Sequence, residues 1–125
     1  MPDQLRFVII EKDAFIAQDM CMGLTGAAPG CDTLVVSAVT RLQGALDALP
    51  DDRHDLVVIT ASRIEVVEQT GLDKMVARVS GRLVLREGAD SNQAVRDKGW
   101  LTLANPFTDD ALAELVQTLT RHREG

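Results

Sequence analysis

The sequence predicts an α/β fold: a doubly wound, five-stranded parallel sheet with helices on both faces. Three observations predict it. Asp55–Ser62 reads D-L-V-V-I-T-A-S, and its unbroken apolar run from Leu56 to Ile59 is rich in β-branched residues. Such a run suits a strand buried on both faces, as in a parallel sheet covered by helices. Four more strand-like runs flank it, and segments with apolar residues at helical spacing alternate with them. Turn residues such as Pro29-Gly30, Pro50-Asp51-Asp52 and Gly99 separate the two kinds of segment.

The first strand is Leu5–Ile10, L-R-F-V-I-I. Asp13 is placed to cap a helix reaching about Gly26, with Ile16, Met20, Gly23 or Leu24, and Ala27 facing inward. Thr33–Ala38 is the second strand. Thr40 and Gln43 make a capping-box pattern for a second helix, whose apolar stripe is Leu42, Ala45, Leu46 and Leu49. The third strand ends at Thr60. Ser62 and Glu65 form another capping box, so helix is expected over about 62–79, broken near Gly71, with Leu72, Met75, Val76 and Val79 buried.

Arg82–Leu85 is the fourth strand, ending in Arg86-Glu87-Gly88. A short helix from about Asp90 to Lys98 stops at Gly99. Trp100–Ala104 is the fifth strand and Asn105-Pro106-Phe107 a turn. Thr108 caps the last helix, where Asp109 and Asp110 suit the positive end of the dipole and Leu112, Leu115, Val116 and Leu119 form the buried stripe. For this length and alternation the expected strand order is the flavodoxin-like 2-1-3-4-5.

One domain spanning residues 1–125 is expected, with no output domain attached. A formal net charge of −6 argues against nucleic acid or an anionic membrane surface as a partner, and no basic run exists beyond Arg121-His122-Arg123. No apolar run approaches the length that spans a bilayer, and no secretory leader is read at Met1–Arg6. Cys21 and Cys31 lack metal-ligand spacing and read as free thiols in a reducing compartment, so a cytoplasmic location is expected.

Several enzyme classes find no motif here. The first strand is followed by Glu-Lys-Asp rather than G-x-G-x-x-G, which argues against a dinucleotide or flavin protein. His54 stands at a strand entrance and His122 in a last helical turn, and neither has Cys, Asp or His at zinc-ligand spacing. Both lie away from the strand ends, so no Ser/His/Asp set is arranged for hydrolysis. Met20, Met22 and Met75 read as core filler, and Trp100 is left between core and interface.

Three strand ends carry a resemblance. Phe7-Val8-Ile9-Ile10-Glu11-Lys12-Asp13, Asp55-Leu56-Val57-Val58-Ile59-Thr60 and Asn105-Pro106-Phe107 stand in order along the chain, with Gly71-Leu72 between the last two. Together they resemble the response-regulator receiver (CheY-like) family: its first strand and acidic cluster, its third strand, its Lys-Pro-Phe turn and the opening of its third helix.

The resemblance implies a signalling role, and it also marks what has changed. The family's paired acids hold a divalent cation through oxygen ligands; here they read Glu11-Lys12, so magnesium binding is expected to be lost and no cofactor is implied. Thr60 occupies the phosphoacceptor aspartate's place, and a hydroxyl cannot form an acyl phosphate. Arg86 replaces the hydroxyl residue on the fourth strand, and Asn105 replaces the lysine before the proline. Thr102 stands at the aromatic switch position, in a chain without tyrosine.

Glu11, Lys12, Thr60, Arg86 and Asn105 are therefore expected to converge as a degenerate phosphoacceptor pocket, with Arg86 and Thr102 at the switch positions. Three arrangements stay open at this point. Lys12 or Arg86 ties Glu11 into an internal ion pair; Lys12, Arg86 and Thr60 hold an anion or a partner's acidic side chain; or the side chains face water. The first implies a non-enzymatic, stand-alone pseudo-receiver acting on a kinase, phosphotransfer or output protein, or through a homodimer built on the fourth helix, fifth strand and fifth helix, Gly88–Arg123. The second implies a sensor of a small anionic ligand.

Overall fold

Val57, Val58 and Ile59 are fully buried because their strand lies in the middle of the sheet and is covered on both faces. The structure, a computed structural model, describes residues 4–49, 54–88 and 90–124. The Pro50-Asp51-Asp52 loop and the side chains of His54, His122 and Arg123 lie outside the described residues. The strands are β1 (Gln4–Ile10), β2 (Asp32–Val36), β3 (His54–Thr60), β4 (Arg82–Arg86) and β5 (Leu101–Leu103). All pair in parallel, in the order β2-β1-β3-β4-β5. The fold is the flavodoxin-like α/β arrangement that the alternation predicts.

Two helices cover one face: α1 (Ala14–Ala27) and α6 (Asp109–Glu124). Their Met20, Leu24, Leu112, Leu115 and Leu119 pack on Phe7, Ile9, Val57, Ile59, Val84 and Leu103. The other face carries α2 (Leu42–Ala48), α3 (Ile64–Thr70), α4 (Leu72–Arg78) and α5 (Asn92–Asp97). There Leu42, Leu46, Val67, Leu72, Val76 and Val95 cover Val8, Leu56, Val58, Leu83 and Leu85. Successive positions along a strand thus feed opposite cores, as the strand period requires. Trp100 packs at the margin of this second core.

Close approach of α1 and α6 depends on Gly23. A Cβ there would collide with Leu112 Cδ1. Gly71 joins α3 to α4 at φ 74°, a left-handed conformation that costs glycine little. The segment expected as one broken helix is therefore two helices.

Several local expectations need correction. α2 begins at Leu42 because Val39–Arg41 first forms a 3-10 turn, with the Arg41 N–H bonded to the Ala38 carbonyl at 3.0 Å. Thr40 therefore does not cap it, and the Gln43 amide donates forward to Asp47 instead, at 2.8 Å. β2 ends at Val36, short of Ala38. α5 begins at Asn92, with Ser91 as its cap: the Ala94 N–H donates to the Ser91 hydroxyl. In the first turns of α1 it is Ala17 that is buried, ahead of Met20 and Leu24, while Ile16 is only half-buried. Val79 is exposed beyond the end of α4. Met22 faces outward, while Met20 is fully buried.

Caps at Asp13 and Thr108 are as the sequence predicts. Asp13 accepts from the Phe15 and Ile16 N–H groups, and Thr108 from the Ala111 N–H.

Candidate functional site

In a doubly wound sheet, ligands gather at the carboxyl ends of the strands, where the strand order reverses. Here the chain runs from β1 to β2 on one side, then returns to β3 on the other. The reversal point lies between the ends of β1 and β3, beside Ile10 and Thr60, which pair in register.

Glu11 follows β1 directly, and its backbone N–H extends the ladder to the Val36 carbonyl. Its carboxylate is used at both oxygens. Oε2 accepts the Asp13 N–H at 3.0 Å, and Oε1 accepts Arg86 Nη1 at 2.9 Å. Arg86 is the last residue of β4, two strands away, so its side chain crosses the end of β3 to reach Glu11. That crossing spans about 10 Å at the usual strand spacing.

The guanidinium has further partners. Nη2 donates to Asn105 Oδ1 at 2.7 Å, and the guanidinium carbon stands 5.5 Å from the centre of the Phe107 ring. Its Nε is buried with no hydrogen-bond partner among the described residues. The side chains of Arg86 and Glu11 are only 10% and 13% exposed. Partial burial removes competing water, so the charge-assisted Arg86–Glu11 bond is stronger than an exposed one.

Thr60 is almost completely buried, and its hydroxyl shares a 3.0 Å hydrogen bond with Ser62 Oγ. Its register partners Ile10 and Leu85 belong to the core under α2–α5. Arg86 comes one residue after Leu85 and so lies on the opposite, α1/α6 face. The Thr60 hydroxyl and the Arg86 guanidinium thus leave the sheet edge on different sides. Lys12 is exposed and makes no ion pair among the described residues. Thr102 is half-buried on β5, in register with Leu85.

The structure therefore brings Glu11, Arg86 and Asn105 into one bonded set and leaves Lys12 and Thr60 outside it. Phe107 completes the set from below. The sequence offered one signal for it: an aromatic residue two positions after Asn105, in a turn returning to the same edge.

Beside the set, two loops are tied together. Ile64, the first residue of α3, donates its N–H to Asp90 Oδ2 at 2.8 Å, from the loop after β4. Ser62 is not the cap, and Glu65 accepts from Gln69 rather than reaching back. Lys98 on α5 and Glu68 on α3 add an exposed ion pair at 3.0 Å.

Among the described residues no group of three His, Cys, Asp or Glu could hold a metal ion. Nor is any described helix long and apolar enough to cross a membrane. Cys21 and Cys31 are free thiols, and burial pushes the Cys31 thiol above its ordinary range. Comparison with known family models, curated proteins and solved structures finds no match.

Proposed function

We propose that this chain is a receiver-like signalling module of the two-component or phosphorelay type, acting by protein–protein contact without aspartyl phosphorylation. One observation carries the reading: Arg86 lies across the end of β3 and bonds Glu11 and Asn105, beside the strand end that carries Thr60. In a receiver-like arrangement, a cation and a phosphoryl group would bring charge to this edge. Here a guanidinium supplies permanent positive charge, and the carboxylate is already neutralised. The edge is therefore held in one state by its own side chains. Its output is a fixed surface offered to a kinase, a phosphotransfer protein or an output protein, with a homodimer through α5, β5 and α6 as a further form of contact. The place of action is the cytoplasm, which suits two free thiols.

Incubation with acetyl phosphate and magnesium tests this. The intact mass is expected to stay unchanged; a stoichiometric phosphoryl adduct overturns the reading.

The second reading, a small-anion sensor using Lys12, Thr60 and Arg86, draws support from the exposed ammonium of Lys12, which makes no ion pair among the described residues. It sets an added anion in competition with Glu11, whose carboxylate already balances the charge of the Arg86 guanidinium. Thermal-shift measurements with phosphate and sulfate separate the two. The sensor reading expects a stabilisation that Lys12→Ala and Arg86→Ala each abolish; no stabilisation refutes it.

A further inference from the structure

We propose that the free edge of β2 pairs with the same edge of a second copy of this chain, joining two five-stranded sheets into one continuous sheet. The proposal is independent of the signalling reading and uses the opposite edge of the sheet from β5.

β2 is an edge strand, and β1 is its one neighbour in the sheet. Glu11 donates its N–H to the Val36 carbonyl at 3.0 Å. In a parallel ladder, that parity turns the backbone groups of Asp32, Leu34 and Val36 towards β1 and those of Thr33 and Val35 outward. Among the described residues nothing bonds the outward groups.

Natural proteins blunt such edges with lysine, proline or a bulge. This edge carries none of them. From Thr33 to Val36 it is β-branched or apolar, and its register with β1 is unbroken. Its side chains are also poorly covered. Of the exposed large apolar residues described, Phe15, Met22, Val66 and Val79 lie on helices or at their ends, whereas Val35, at 42%, lies on a strand.

A two-fold axis beside Leu34 makes the pairing antiparallel and self-complementary. Thr33 of each copy then exchanges both backbone bonds with Val35 of the other. Leu34 meets its own counterpart in the closer, non-bonded position, on the face that carries α2, where it is only half-buried in the single chain. Asp32 stands opposite Val36, so no like charges meet, and Arg6 already holds the Asp32 carboxylate at 2.9 Å.

The flank of α1 selects a second copy over an extended peptide. Cys31, the residue before β2, donates its thiol to the Leu24 carbonyl at 3.8 Å and shares a hydrogen bond with Thr25. The Thr25 flank of α1 is therefore the one beside β2. Ala14, Gln18, Cys21 and Thr25 run along it at helical spacing, uncharged and mostly small. The two-fold lays the second copy's α1 antiparallel beside this flank, on the same face of the joined sheet. An extended peptide brings no helix and leaves the flank uncovered.

Sedimentation equilibrium tests this in about 0.15 M salt, where screening limits the repulsion between two chains at −6. A monomer–dimer equilibrium is expected. Val35→Lys should weaken it by about a hundredfold, because the seam would bury two ammonium groups. Val35→Thr, neutral and β-branched, should leave it unchanged. Val35 is exposed, so both variants keep the parent's thermal unfolding at concentrations where the parent is monomeric. In the parent, amide exchange at Thr33 and Val35 should slow as concentration rises. A chain that stays monomeric at millimolar concentration, a dimer that Val35→Lys leaves intact, or exchange at Thr33 and Val35 indifferent to concentration overturns the proposal.

Discussion

Arg86 on β4 and Glu11 after β1 meet at 2.9 Å with β3 between them, so one ion pair closes the reversal point of the sheet. The pair joins strands that do not touch, and its partners extend the link to Asn105 beyond β5. The loops after β1 and β5 are thereby held to the end of β4 by one guanidinium.

Breaking that pair should be costly. Glu11→Ala leaves the guanidinium without a counter-charge and with Asn105 as its remaining hydrogen-bond partner, and unfolding in urea should show a loss of about 3 kcal/mol, at the lower end of what an orphaned buried charge costs. Glu11→Leu combined with Arg86→Met should recover most of it, because neither charge then remains to be desolvated. An additive double variant would mean the pair is not coupled. Arg86→Lys should not substitute, since an ammonium has no planar fork to bond Glu11 and Asn105 together over Phe107.

The cap of α3 comes from a distant loop, and the two obvious variants should differ. Asp90→Ala removes the acceptor of the Ile64 N–H and should cost about 1 kcal/mol. Hydrogen exchange at the start of α3 should quicken. Ser62→Ala should leave that exchange unchanged, because Ser62 bonds Thr60 and not the helix.

Two glycines on α1 should respond oppositely to alanine. At Gly23 the new methyl meets the buried Leu112 side chain, so thermal unfolding should report a loss of about 1–3 kcal/mol from overpacking. At Gly26 nothing lies within 4 Å, and the higher helix propensity of alanine should add up to about 1 kcal/mol.

Cys31 should be a slow thiol. Burial raises its pKa; a hydrogen bond with Thr25 works the other way, and the charges of Asp32 and Cys21 add to the rise. Alkylation in mildly alkaline solution should therefore be slower in the native protein than in the urea-unfolded chain. The folded state prefers the neutral thiol. Its contribution is thus fully present below the unfolded pKa and declines as pH rises from there towards the folded value. Cys31→Ala should remove that alkaline decline.

The fold was legible because the buried run of β3 and the alternation around it depend on local periodicity. The caps at Asp13 and Thr108 were legible for the same reason: donor and acceptor lie within three residues. The boxes at Thr40 and Ser62 misled because competitors outside the pattern took over, a 3-10 turn in one case and Asp90 in the other. At the site, the sequence placed Glu11, Arg86 and Asn105 at one edge but left open whether Lys12 or Arg86 answers Glu11. That choice depends on side-chain direction: Lys12 points to solvent, whereas Arg86 shares the α1/α6 face with Phe107. The outward Phe15 and Met22 were hidden because one helix of this sequence is apolar on more than its inner face.

The proposed function requires this edge to be held by its own charges without phosphorylation. Amide spectra recorded while acetyl phosphate and magnesium are titrated test it most directly. One set of resonances is expected for Glu11–Asp13, Thr60–Ser62, Arg86–Gly88 and Asn105–Phe107, unmoved through the titration. Saturable shifts at those positions, with a second set of resonances growing in, would contradict it.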